Sequence, residues 1–456
     1  MADPSHASAS SEEIPQEIRS ALLKYDDSSH QGAKAYVYHD LPPYRKRIRL
    51  LRLLSGVLVS PLVQCEMFEA EFDEEESSSE EAQSKESQSK GKHILPRVVD
   101  ESGHLTDQVT KYEALSWRWG DEDNSQHTIM IRERGKMYKK RVSHTLGLAL
   151  KYLGQTEDRI LWIDAICINQ KNKKERSYQV SMMSLVYTRA EQVCVWLGED
   201  DDNSRKAFKF IKEDISHLKD FDQVCSDPNN AHKWRAFLSL MQRAWFSRRW
   251  VVQEIALALK ASVYCGPDKL DWRELAIAVE LFVEVETATH RLSELLRKDA
   301  KSNVVPNWFE HISELGASLL VNATARIFRE YQRGDPAISL PARRSLLSLE
   351  YLVTSLSIFD CGRPHDSVYA LIAIARDASP NPPTSVQEER KQALIAQVFG
   401  DQLEQKPYLL DYNSPYPDVC KEFVQFCIER CGPGRRTGDQ KCQRWMNTRT
   451  TMMKHL

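Results

Sequence analysis

Residues 160–168 read ILWIDAICI, eight apolar residues interrupted by a single carboxylate. A run this apolar and this short predicts a strand in the middle of a sheet, buried on both faces, as in parallel sheets. A second such run, QVCVWL at 192–197, closes on Gly198 and a solvated acidic turn, Glu199–Asp202. Before and between them the spacing turns helical. Leu146, Leu150 and Leu153 form one stripe in 143–153, and Val180, Met183, Leu185 and Tyr187 recur at three- and four-residue steps in 175–190. Short apolar strands alternating with amphipathic helices predict an α/β fold with a mostly parallel sheet flanked by helices. Tyr112–Trp117 adds a strand, 128–131 and 136–142 a β pair turning at Arg134-Gly135, and Ala261–Cys265 a further strand. Ser247 is positioned to cap a helix whose apolar face is Val251, Ile255, Ala258 and Leu259.

The flanks read differently. Residues 1–44 are rich in Ser, His, Asp and Glu and are expected to be largely disordered, with a short helical patch near 14–25 and order beginning near Tyr44. Arg45, Lys46, Arg47 and Arg49 could form a nuclear-localisation or phosphate patch. A strand with a charged outward face is the preferred reading. Residues 74–92 (EEESSSEEAQSKESQSKGK) contain one Ala and no larger apolar residue, so they form a solvated loop between strand-like segments. From Trp272 onward the pattern is helical and long. The expected division is an N-terminal extension over 1–44, an α/β domain over 45–270 with the acidic insertion, and an α-helical accessory region over 271–456.

Composition narrows the function classes. A chain of 456 residues suits more than one core. The net charge of -3 gives no whole-protein case for nucleic acid or an anionic membrane. No run of about 18 apolar residues predicts a membrane span, and the polar N-terminus has no secretory core, so a cytoplasmic setting is the default. The ten cysteines include no C-x-x-C pair; Cys167 and Cys194 sit in apolar runs and read as small buried hydrophobes. Cys427 and Cys431 are one helical turn apart without a partner at zinc spacing, so no metal is assigned. The chain has no phosphate loop, G-x-G-x-x-G, G-x-S-x-G or H-E-x-x-H. A nucleophilic Cys167 is disfavoured because a buried thiol stays protonated.

Four motifs then occur in order: YEALSWRWGD (112–121), LWIDAICINQ (161–170) continued by Glu175-Arg176, AEQVCVWLG (190–198) and RAWFSRRWVVQEIALA (243–258). They resemble the motifs of fungal heterokaryon-incompatibility (HET) domains and span about a third of the chain. RPHDSVYALIAIA (363–375) resembles a segment often found beyond that domain, with Ala373 replacing the usual glycine. Such proteins usually run on further, so the stop soon after Cys442 reads as a truncated or divergent end. The resemblance implies a role in non-self recognition and programmed cell death after fungal cell fusion, with other incompatibility proteins or further copies of the chain as partners.

HET domains are in turn distantly similar to Toll/interleukin-1-receptor (TIR) domains, which have a flavodoxin-like fold and include members that cleave NAD. Ser116-Trp117-Arg118-Trp119-Gly120-Asp121 stands for the TIR segment S-F-R-G-E-D, with Trp119 as an extra residue, and Trp250–Ile255 stands for W-C-x-x-E-L. The match puts Glu254 on the catalytic position. NAD is then a substrate rather than a cofactor, with Arg118 meeting a phosphate and Trp117 or Trp119 stacking on a base. Asp164, Asn169, Gln170 and Trp250 would border the same cleft, since open α/β sheets bind ligands outside the carboxyl ends of their strands. Each has a plainer reading. Glu254 closes an ion pair with Arg248 or Arg249, Asp164 accepts from backbone or Arg, and Asn169 and Gln170 organise a loop. Trp162, Trp196, Tyr112 and Trp245 are core. An NAD glycohydrolase and a non-enzymatic death-signalling module both remain open here.

Overall fold

The computed structural model describes residues 32–42, 45–55, 62–73, 95–119, 126–155, 157–215, 221–298, 315–331, 342–381 and 405–431. The patch at 14–25, the acidic segment 74–92, Gly120-Asp121 and the C-terminal tail lie outside them. Twelve strands form one mixed sheet: β1 (Lys34–Ala35), β2 (Arg47–Leu53), β3 (Gln64–Glu71), β4 (Arg97–Val99), β5 (Leu105–Val109), β6 (Glu113–Trp117), β7 (Gln126–Glu133), β8 (Lys136–Ser143), β9 (Arg159–Trp162), β10 (Val193–Trp196), β11 (Ala261–Cys265) and β12 (Asp268–Asp271). Their order is β1-β8-β7-β3-β2-β9-β6-β10-β11-β12, with β4 and β5 branching from β3. The centre, β9-β6-β10-β11, is parallel throughout, with Ala114 beside Trp162 and Trp117 beside Trp196.

Every residue of β10 is buried, which explains why VCVW carries no polar alternation. The ILWIDAICI run behaves differently. Only Arg159–Trp162 is strand; the chain then turns into a short helix, α2 (Asp164–Cys167). Asp164 therefore does not interrupt a buried strand but opens the turn at its carboxyl end. The segment 175–190 likewise splits into α3 (Lys173–Ser181) and α4 (Met183–Arg189). Helix α1 (His144–Leu153) matches the expected stripe and is capped by Ser143, which accepts from Leu146 N–H. The β7–β8 turn needs two left-handed residues, Arg134 (φ 48°) and Gly135 (φ 72°), which suits a two-residue hairpin.

The preferred reading of the basic cluster is corrected. Arg47 and Arg49 do not face solvent: both are buried and paired, Arg47 with Glu69 and Glu71, Arg49 with Glu175 at 2.6 Å. Ordered structure also begins before Tyr44, because Tyr38 donates to the Ile166 carbonyl at 2.7 Å and lies 4.9 Å beneath the Arg49 guanidinium. The thiols of Cys167 and Cys194 are wholly buried, and burial pushes each up to about 12.

Beyond β12 the chain is largely helical, with helices Trp272–Thr289, Arg291–Lys298, Gly316–Ile327 and Tyr416–Cys431. It also holds two small sheets, Phe328–Tyr331 with Ala342–Ser345 and Ala378–Asn381 with Lys406–Leu409. Within this region the stretch 366–378 is helical only over Asp366–Tyr369 and in a 3₁₀ turn at Ile372–Ile374. No helix among the described residues is long and apolar enough to cross a membrane.

Candidate active site

The site forms where β6 and β9 end side by side and helix α5 (Trp250–Leu257) passes the carboxyl end of β6. Glu254 lies at its floor, only 2 % exposed. Its carboxylate accepts from the Ser116 hydroxyl, which itself accepts from Trp245 Nε1 at 2.9 Å, and from the Tyr187 hydroxyl. The Arg248 guanidinium stands 3.9 Å away and also donates to the Trp117 carbonyl. Burial holds the Glu254 carboxyl above the ordinary glutamate range, against Arg248 and the Ser116 hydrogen bond, which favour the charged form.

Above this floor Asp164 joins two aromatics. Its Oδ1 accepts from Trp117 Nε1 at 3.1 Å and its Oδ2 from Trp119 Nε1 at 2.8 Å. The indoles stack, with centroids 6.1 Å apart and planes 17° from parallel. Trp117 is buried, whereas Trp119 is 41 % exposed and forms a flat shelf at the rim. Gln170 donates to the Asp164 carbonyl at 2.9 Å, and Asn169 accepts from Lys171 N–H.

A cavity of about 670 Å³ opens here. Arg118, Trp119, Asp164, Gln170, Trp250 and Glu254 line it together, although they lie far apart in sequence. Ser116 and Trp117 sit behind the wall, Asn169 is not among the lining residues, and Gly120 is outside the described residues. Arg118 donates to the Ala244 carbonyl at 3.3 Å. The two readings of Glu254 thus converge on one geometry: the carboxylate is buried beside Arg248, and it also faces a cavity.

Most of this wall is not legible in the sequence residue by residue. Arg176, Arg248, Asp360, Arg363, Asp366 and Tyr412 also line the cavity. The motifs carry the signal: Glu175-Arg176 continues the second motif, Arg248 lies in the fourth beside its expected partner Glu254, and RPHD spans 363–366. The segment around Asp360 is tied to the start of α5 by backbone, Asp360 N–H to Ser247 O and Arg249 N–H to Asp360 O (3.0 Å). Ser247 does not cap α5; its hydroxyl donates to the Ala244 carbonyl. Arg249 is buried and donates to the Leu356 and Ser367 carbonyls.

Residues 112–254 match the family model described as heterokaryon incompatibility protein (HET). The chain carries a HET domain. Heterokaryon incompatibility protein 6, OR allele, of Neurospora crassa is 29 % identical over 197 residues, an alignment covering 34 % of this chain and 28 % of that protein. The match to that relative therefore extends over well under half of its length. No solved structure shows a significant match. The bounds of the HET match run from Tyr112, whose hydroxyl donates to the Val186 carbonyl at 2.6 Å, to Glu254 itself. The second wall of its cavity, residues 360–366 and Tyr412, comes from outside the matched span.

Proposed function

We propose that the chain acts in heterokaryon incompatibility, and that its HET domain hydrolyses NAD at the nicotinamide–ribose bond with Glu254 as the catalytic carboxylate. The observation that carries this reading is Glu254 itself, a buried carboxylate held by Ser116 and Tyr187 and facing a cavity with an exposed indole at its rim. Perturbed carboxyl groups in clefts are candidate catalytic groups.

In this reaction the C1′–N bond breaks and its electron pair passes to nicotinamide, which leaves neutral. Positive charge develops on the ribose, and water adds at C1′ and loses its proton. A fixed carboxylate beside that carbon stabilises the oxocarbenium-like state and orients the ribose hydroxyls. Arg248 and the two hydroxyl donors favour the charged form of Glu254 at this point, against the burial that raises its pKa. Trp119 supplies a face for a base or for nicotinamide. Programmed cell death would follow from depletion of NAD, and partner incompatibility proteins or self-association would bring the chain into its active state.

A second reading rests on the Arg248–Glu254 ion pair. If that pair is structural, the domain signals by association alone. The decisive measurement is nicotinamide release from NAD by concentrated purified chain, comparing wild type with Glu254→Gln. Release by wild type and not by the variant supports the enzyme. Equal rates in the two, including no release by either, sink the catalytic role and leave the association reading.

A further inference from the structure

The cavity wall contributed by α3 and the segment 360–366 has a feature that the hydrolysis does not use. Arg176 is only 6 % exposed and lines the cavity, yet its Nε has no hydrogen-bond partner and no carboxylate among the described residues lies within ion-pair distance. Its guanidinium rests 4.8 Å over the Tyr412 ring. Arg249 also has an unpartnered Nε, but the terminal nitrogens of Arg49 and Arg249 are engaged, whereas those of Arg176 make no hydrogen bond among the described residues. Arg49 is saturated by Glu175 and two carbonyls, and Arg249 donates to two carbonyls. A buried guanidinium left open toward a cavity is a binding group awaiting an anion.

Arg363 lines the same cavity from the RPHD segment, and its guanidinium has no ion pair or side-chain hydrogen bond among the described residues. The two cations are near enough that the charge on Arg363, after burial, lowers the pKa of Arg176. The nearby carboxyl of Asp366 does not neutralise them at ion-pair range. It accepts from the Tyr412 hydroxyl at 2.6 Å and from the Trp250 side chain, and burial shifts it toward the protonated form.

We infer that Arg176 and Arg363 form a phosphate-binding subsite that takes the diphosphate of a nucleotide ligand. A cavity of about 670 Å³ has room for a ligand well beyond a single phosphate, and paired guanidinium groups match phosphoryl oxygens in charge and in bidentate geometry. The subsite draws one arginine from the HET span and one from outside it, so ligand binding draws the two stretches of chain together. It rests on the cavity being a ligand site and not on the hydrolysis.

The test titrates the full chain with ADP-ribose and, separately, with inorganic pyrophosphate, following heat of binding and melting temperature. Wild type is expected to bind both saturably, ADP-ribose more tightly. Arg176→Gln is expected to weaken each by about tenfold or more, and the exposed Arg363→Gln by several-fold. Because Arg363→Gln cannot disturb the core, it keeps the test valid if Arg176→Gln fails to fold. Failure of wild type to bind either probe, or unchanged affinities in Arg363→Gln and in a folded Arg176→Gln, overturns the subsite. Binding of ADP-ribose without nicotinamide release from NAD upholds the subsite and removes only the hydrolysis.

Discussion

Arg49 and Glu175 meet at 2.6 Å, and both partners have other bonds: Glu175 accepts from Asn169 N–H at 2.8 Å, and Arg49 donates to the Cys167 carbonyl at 3.0 Å. Arg248 and Glu254 stand 3.9 Å apart, with Glu254 facing a cavity. Both glutamates are buried and both lie on helices that begin beside the sheet's central strands. The first pair is closed on every side and clamps β2 to α3. The second is slack, and its carboxyl is pushed toward protonation by burial. A saturated buried pair holds a fold together, whereas an unsaturated one facing a cavity is available for chemistry.

The comparison breaks most easily at its tight end. Glu175→Ala leaves the Arg49 charge buried and unpaired, and should cost about 3–5 kcal/mol in urea unfolding. A loss near that of an exposed ion pair would mean the clamp is not structural. Glu254→Gln should do the reverse, lowering nicotinamide release by about 100-fold or more while preserving the fold.

The pH dependence follows from the raised Glu254 pKa. The folded chain holds this proton more tightly than the unfolded chain, so the group's stability contribution is fully present below the ordinary glutamate pKa. It is lost as pH rises through the folded-state value. Glu254→Gln should therefore melt higher than wild type at neutral pH, and the gap should close on acidification. Nicotinamide release should rise with pH on its acidic limb, above the ordinary carboxylate range, as Glu254 ionises.

Smaller effects sharpen the same contrast. Trp119→Ala removes an exposed indole from the rim and should raise KM for NAD by about tenfold with little change in melting temperature. The helix starts differ too. Asn172 caps α3 by accepting from Lys174 and Glu175 N–H, so Asn172→Ala should cost about 1 kcal/mol. Ser247 caps nothing, so Ser247→Ala should change stability by less than about 0.5 kcal/mol. An equal loss at both positions would contradict the picture of α5 as a helix whose start is held by the segment around Asp360.

Local pattern was enough to identify the central strands, the β7–β8 hairpin, helix α1 and the buried thiols, because hydrophobic period and turn chemistry act over a few residues. The family resemblance of the motifs, and not local pattern, put Glu254, Asp164, Trp119 and Arg118 at one cleft. Local pattern could not show where VCVW-like runs stop being strand, since ILW continues into a one-turn helix of equal hydrophobicity. Nor could it show which arginines are buried: RKRIRL looks solvated until Glu69, Glu71 and Glu175 arrive from elsewhere in the chain. The second wall of the cavity was hidden for the same reason. Arg363 and Tyr412 reach Arg176 and Trp250 only after the chain beyond β12 has folded back across α5. Periodicity in the sequence specified which stretches must be buried; the pairing of buried charges and the closing of the cavity are long-range events, decided only when distant segments met.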